Sequence, residues 1–362
     1  MAGWIANVGR RQEAVMVWRT GVAAGLVALS VMAAPTTSSA QGEVTATLSV
    51  LSDPVDRIPA AGAAEPGFNG MNLVEGDRIR AGAGGIALVT FLDGSTVTVL
   101  SSTDITVKQI GTPARTGIRI LIHAGRVWAR VVQVAGARSS LTLESNEYAA
   151  TAHDGLIGAA KTADGFVCWT RRGTLAMENS AGHAEASLIA GQWGWARMGL
   201  PVKSEPFVPS ASLLEIRATG PVAPLVVMPE GRVAAGFLAD GVEVNQVFGS
   251  LTQSAPGQRW LVEVPAGAAG DYTLVLTGTG EGPFTVDVTG RYLGFRTGRQ
   301  TIAGHTRAGE RVFTRISQRV KGDDPRTARA TETRIEGLQA WEGEEPAIVV
   351  VARPEPRRPQ PN

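Results

Sequence analysis

The chain has almost no cysteine. Its one thiol, Cys168, excludes an intramolecular disulfide and a multi-thiolate metal site. The setting Phe166-Val167-Cys168-Trp169 marks it as a small buried side chain rather than a nucleophile. Histidine is scarce too: His123, His153, His183 and His305 stand apart, with no pair at the i, i+2 or i, i+4 spacing that puts two imidazoles on one metal. No cofactor or metal is therefore expected. Aromatic residues make up 6% of the chain, and 34 basic residues face 33 acidic ones. Without its first 40 residues the chain keeps 31 basic against 32 acidic side chains. Phosphate-backbone binding needs a basic excess or stripe, so nucleic acid is not an expected partner. Long amphipathic helical patterns are missing, and the apolar run 21–34 is shorter than the roughly 17–25 residues of a spanning helix.

What the chain does have is glycine, 44 residues of it, with 20 prolines among many Val, Thr and Ala. That composition predicts short strands joined by tight turns. A length of 362 residues with 44% apolar content allows about two domains, each with its own core. Arg10, Arg11 and Arg19 precede the apolar run, and Pro35 and Ser38-Ser39-Ala40 come after it. This is the layout of a secretory signal over 1–40, cut between Ala40 and Gln41. Met16 offers an alternative start that shortens the leader. No cysteine lies near the cut, which excludes a lipid-anchored product. The alternative is a leader kept as a membrane anchor.

The rest of the chain is arranged around the stretch 73–130. An apolar run at 86–92 closes on Asp93-Gly94, a pair that readily supplies the positive φ of a hairpin turn. Residues 96–99 and 105–107 then alternate polar and apolar, as half-buried strands do. Consecutive antiparallel strands are expected here, with 118–122 and 127–134 hinged at Gly125. Strands are also expected at 41–50, 141–143, 148–152, 187–189 and 193–198. Residues 166–170 and 174–177 should form a hairpin across Arg171-Arg172-Gly173, and 52–69 should be a surface loop.

Gly76-Asp77-Arg78-Ile79-Arg80-Ala81-Gly82, then Asp93-Gly94-Ser95, Ser101-Ser102-Thr103-Asp104-Ile105 and Gly125-Arg126-Val127-Trp128 resemble, in this order, the FecR domain of bacterial envelope proteins. Gly165-Phe166-Val167, Arg172-Gly173-Thr174-Leu175 and Ile189-Ala190-Gly191-Gln192 continue the resemblance, which covers roughly 72–196. It implies a twisted β-roll or solenoid-like domain. The chain departs from the family at Ala152-His153-Asp154-Gly155-Leu156, where Arg-Gly-Thr is usual.

Beyond a proline-marked linker at 201–212, strands are expected at 213–218, 224–228, 242–248 and 260–264, with one or two more within 292–317. The clearest pattern is a hairpin: Tyr272, Leu274 and Leu276 on one face, and Phe284, Val286 and Val288 returning across a glycine-rich tip. Tyr272-Thr273-Leu274 followed by Thr277-Gly278-Thr279-Gly280-Glu281-Gly282-Pro283-Phe284 resembles the immunoglobulin-like sandwich modules of secreted bacterial proteins. The expected organisation is all-β: a signal peptide at 1–40, a FecR-like domain at 41–200, the linker, an immunoglobulin-like β-sandwich at 213–320, and a largely disordered, proline-rich tail at 321–362 in which 347–351 can add an edge strand.

No catalytic constellation is evident. His153-Asp154-Gly155 would need a serine such as Ser145 beside it, and no nucleophile-elbow motif supports that. Gly82-Ala83-Gly84-Gly85 lacks the Gly-Lys-Ser/Thr ending of a phosphate loop and reads as a turn. Trp193 and Trp195 fall on one face of an alternating segment, either as an exposed platform for ligand stacking or as packing. The FecR resemblance implies a periplasmic or extracellular module that binds an envelope protein or polysaccharide without catalysis. The alternative it implies is a membrane-anchored regulator in transmembrane signalling. Oligomeric state is not legible.

Overall fold

The computed structural model describes residues 46–111, 117–133, 139–266, 269–321 and 330–340. Every regular element among them is a β-strand, and none of them forms a helix long and apolar enough to cross a membrane. The expected signal, its cut between Ala40 and Gln41, and the strand at 347–351 lie outside the described residues.

The first body is two sheets that share one long strand, Gly117–Val131. The first sheet runs in the order Met71–Leu73, Ala46–Ser52, Ile86–Thr90, Thr96–Val99, the far half of Gly117–Val131, Gly155–Thr162, Gly165–Arg172, Gln192–Arg197 and Leu200–Pro206. The second runs Glu65–Pro66, Val55–Ile58, Arg78–Ala81, Thr103–Gln109, the near half of Gly117–Val131, Ser140–Glu144, Tyr148–Ala152, Thr174–Asn179 and Ala184–Ile189. From Ile86 onward the chain alternates between the sheets, winding around a core that includes Ile79, Val89, Ile105, Ile120, Val127, Leu141, Phe166 and Leu188.

That winding corrects several local expectations. Gly125 is not a turn: Gly117–Val131 passes through it from one sheet to the other. Ile86–Thr90 and Thr96–Val99 do form the Asp93-Gly94 hairpin, but Thr103–Gln109 joins the opposite sheet. Gly165–Arg172 and Thr174–Asn179 likewise part at Gly173 into separate sheets. Two short strands, Val55–Ile58 and Glu65–Pro66, interrupt the expected loop. Gly155–Thr162, with two glycines and two alanines, carries no strand pattern, yet it lies between two partners in the first sheet. Leu200–Pro206 is a strand although it falls in the expected linker, which leaves 207–211 as the irregular connection.

The second body is a two-sheet sandwich. Its five-stranded sheet is ordered Leu251–Ala255, Arg259–Ala266, Ser212–Thr219, Gly282–Tyr292, Phe295–Thr306. The facing sheet is ordered Glu243–Asn245, Ala234–Phe237, Val222–Val227, Ala269–Gly278, Arg311–Lys321, Ala330–Ile335, with Gln339–Ala340 also on Arg311–Lys321. Ala269–Gly278 and Gly282–Tyr292 therefore do not pair as a hairpin. They stand in opposite sheets, and Tyr272, Leu274, Leu276, Phe284, Val286 and Val288 meet across one core. The strand Ala330–Ile335 places part of the expected tail in the sandwich.

Candidate functional site

The first sheet buries one face against its core and turns the other outward. Gly194 is buried, and Ala196, Cys168, Val127 and Ala129 belong to the core. Strand alternation then sets Trp193, Trp195, Trp169, Trp128, Arg126 and Arg130 on the outer face. Cross-strand register aligns Trp128 with Gly158, Gly158 with Trp169, and Trp169 with Trp193. Gly158 is needed in that row, because a Cβ there would lie 2.8 Å from Cε3 of Trp128.

Half of this face is covered by the sandwich. Phe248 meets the Trp128 ring at 5.3 Å and the Trp169 ring at 5.1 Å, both edge-on. Phe207, at the start of the connection, lies 6.2 Å from Trp169 and 6.1 Å from Phe248. The Arg126 guanidinium sits 4.3 Å over the Phe248 ring, and burial holds its pKa below the ordinary arginine value. Around these rings is a charged clamp. Arg172 donates to both oxygens of Glu243 at 2.9 and 3.1 Å and to the Thr252 carbonyl. Arg130 reaches Glu243 at 3.4 Å, and Arg171 reaches Glu263 at 2.6 Å. Asn245 and Thr252 complete the Glu243 carboxylate.

The segment His153-Asp154-Gly155 belongs to this joint. His153-Asp154 turns between Tyr148–Ala152 and Gly155–Thr162, and interlocks with the Gly173 corner. A Cβ at Gly155 would lie 2.0 Å from the Arg172 carbonyl oxygen, and one at Gly173 would lie 2.4 Å from that of Asp154. Both glycines have positive φ, +114° and +81°. The contact holds Arg171 and Arg172 where they reach the sandwich. His153 hydrogen-bonds through Nδ1 with the Ser139 carbonyl oxygen. Ser145 lies at the other end of Tyr148–Ala152, accepting from the Glu147 and Tyr148 amides, so the structure does not bring the two together. His123 pairs with Thr106. Cys168 is buried, which pushes its thiol pKa well up. Among the described residues, no three His, Cys, Asp or Glu side chains gather as metal ligands.

The rest of the face carries the other two indoles. Trp193 and Trp195 are both half-buried, between full exposure and core packing. Trp195 lies over Gly165, its Nε1 3.0 Å from where a Cβ would stand, and the Arg197 guanidinium stacks 5.4 Å from its ring. Lys203 and Glu205 on Leu200–Pro206 flank the two indoles in register. A flat indole beside a guanidinium, a lysine and a carboxylate can stack on a planar or sugar ring and hydrogen-bond its substituents. A cleft of about 720 Å³ opens beside the joint, lined by Arg172, Arg217, Glu243, Gln253, Arg259 and Trp260 among others.

Sequence reasoning singles out Trp193 and Trp195 but not the joint residues Glu243, Glu263 or Phe248. Only the alternation Val242-Glu243-Val244-Asn245 points to Glu243, and it marks a strand rather than a contact.

No protein-family model matches the chain, and no curated protein sequence matches it. Among solved structures, two crystal structures of a protein provisionally described as an anti-sigma factor from Parabacteroides distasonis ATCC 8503 are similar at 11% identity and a TM-score of 0.31. The similarity covers 36% of this chain and spans 59% of that one.

Proposed function

We propose that this chain is an exported, non-enzymatic FecR-type module that binds a protein or glycan of the bacterial envelope, in the periplasm or outside the cell. The observation that carries the reading is the half-buried pair Trp193 and Trp195, with Arg197 stacked on Trp195, on the sheet face beyond the Phe248 contacts. The ordered FecR-like motifs support it, and so does the signal layout over 1–40. The sandwich acts as a brace, holding the first body by its Trp128 and Trp169 side and leaving the Trp193 side to the ligand.

The test is retention of envelope material on the immobilised full chain, compared with Trp195→Ala. Loss of a specifically retained protein or polysaccharide in the variant supports the reading. Equal retention by both chains removes Trp195 from the site. The mass of the mature N-terminus tests export: a start at Gln41 supports it, and a membrane-bound chain that keeps 1–40 favours the anchored regulator.

A further inference from the structure

One end of the sandwich carries a hairpin tip that breaks two rules of stable turns. Gly282–Tyr292 and Phe295–Thr306 pair with Tyr292 opposite Phe295, so Leu293-Gly294 is a two-residue loop. Leu293 has φ of +49° and Gly294 +83°, the left-handed pair that a type I′ turn requires. Asn, Asp or Gly is the ordinary first residue there, because an apolar side chain crowds the carbonyl in left-handed backbone. Ser102, Gln258 and Leu293 are the non-glycine residues with positive φ among the described ones, and of these Leu293 alone is apolar. On the rung behind the turn, Arg291 stands opposite Arg296, and like charges directly opposed cost stability. Neither choice serves the fold, which marks the tip as a place where another task set the residues.

The same tip is apolar at its point and basic behind it. Leu293 is 55% exposed and Phe295 77%. The Leu293 amide donates to the Ala211 carbonyl at 2.7 Å, which pins the turn against the connection between the bodies, a segment on which Val208 is 69% exposed. Between Asp287 and Glu310 the chain has no carboxylate side chain. Arg291 is paired with Glu215 and Arg299 with Asp287, while Arg296 is exposed and has no ion pair among the described residues. The balance at the tip is therefore positive.

We propose that this tip seats on an anionic lipid surface, with the Leu293 and Phe295 side chains at the boundary between headgroups and acyl chains and Arg296 at the phosphates. A two-residue tip is convex, and a bilayer admits such a tip without a preformed pocket. Buried apolar area and attraction to anionic headgroups then add in holding it there. A free polyanion would use the arginines and leave Leu293 and Phe295 in water, and a second copy would set the tip arginines against each other. The site is distinct from the Trp193 and Trp195 face and from the apolar run 21–34, so it goes beyond the binding reading and does not rest on it.

Because Cys168 is buried, a polarity-sensitive fluorophore can be attached to the full chain at Leu293→Cys, with Glu281→Cys as the control. Glu281 is exposed and precedes the opposite end of Gly282–Tyr292. On phosphatidylglycerol vesicles the label at position 293 should shift to shorter wavelength and be quenched by nitroxide lipid, while the label at 281 should not respond. The response should fall at least about threefold on phosphatidylcholine vesicles, and again as salt rises from about 50 to 500 mM. Adding Arg296→Glu to the labelled chain should weaken its vesicle affinity at least about fivefold. Reading the label rather than bulk vesicle binding keeps the basic, apolar leader from standing in for the tip, and Phe295→Cys carries the label if the turn variant fails to fold. Unlabelled Leu293→Asn should keep or raise the melting temperature, since asparagine suits left-handed backbone. A lowered melting temperature would mean that Leu293 is there to pack in the sandwich, and would overturn the proposal. It is also overturned by labels at 293 and 295 that ignore the vesicles, by an equal response at 281, by a response that Arg296→Glu leaves intact, or by a dimer in sedimentation that Leu293→Asn abolishes.

Discussion

Gly94 has φ of +84°, with the nearest outside atom 4.0 Å from where a Cβ would stand. A side chain fits there, so the constraint is conformational. Asp93 closes the turn by accepting from the Ser95 amide at 2.8 Å and from its hydroxyl at 3.0 Å. Gly94→Val should therefore cost about 1–2 kcal/mol, the penalty of an L-residue in left-handed backbone, and lower the melting temperature by roughly 2–8 °C. An unchanged melting curve would exclude that backbone. Asp77 in the Gly76-Asp77 pair is also structural. Asp77 is fully buried, accepting from the Val74 amide and from Arg57. Glu215 contributes to the acid sensitivity of the sandwich. Burial pushes its pKa up, but hydrogen bonds from Arg217 at 2.6 Å and Arg291 at 3.0 Å outweigh this and hold it below the usual carboxylate range. A depressed folded-state value means stabilisation that is complete above the unfolded glutamate pKa of about 4.3 and lost as pH falls through the lower, folded value. Thermal melts from pH 6 down to about 3 should show a smaller acid loss in Glu215→Gln than in the parent. Parallel losses would remove Glu215 from that role.

At the scale of elements, local pattern tells strand from turn well and tells strand partners poorly. Tyr272, Leu274 and Leu276 alternate correctly with Thr273 and Val275, and so do Phe284, Val286 and Val288, yet an apolar face meets its counterpart equally well by pairing or by packing across a core. The short segment between Thr277 and Gly282 allows either a hairpin tip or a corner. The same ambiguity hides the crossings at Gly125 and Gly173. Gly155–Thr162 is hidden for another reason: its small residues serve a neighbour, since Gly158 makes room for the Trp128 indole. Gly158→Ala should force that ring away from Phe248, at a cost of about 1–3 kcal/mol. In a double-mutant cycle with Phe248→Ala the two losses should be less than additive, because both act on the Trp128 contact. Strict additivity in urea melts would show that Gly158 and the joint are independent.

For the whole molecule, the first body and the sandwich have separate main cores, the sandwich adds a smaller buried cluster of Leu225, Val227, Ala234, Val244 and Val275 on the other face of one sheet, and the connection between the bodies is only residues 207–211. Bodies so joined move independently by default unless the shared surface is substantial and apolar. Here it is apolar at its centre, with Trp128, Trp169, Phe207 and Phe248, and charged at its rim, with Arg130, Arg171 and Arg172 on Glu243 and Glu263. Arg232 adds a contact away from that cluster, donating to the Ser52 hydroxyl at 2.6 Å. Glu243 is the most connected of these groups, and its removal leaves Arg130 and Arg172 half-buried without a counter-charge, a loss of about 3–5 kcal/mol by analogy with broken buried pairs. Because that loss falls on the joint and not on either core, it should appear as uncoupling rather than as collapse. Calorimetry of the parent should give one transition, and Glu243→Ala combined with Phe248→Ala should give two, one per core, with wider solution scattering dimensions. A single transition lowered in temperature would mean that the clamp stabilises one body and that the other never depended on it. Two transitions already present in the parent would mean that the joint does not hold the bodies together, and the tryptophan face would then lose its brace.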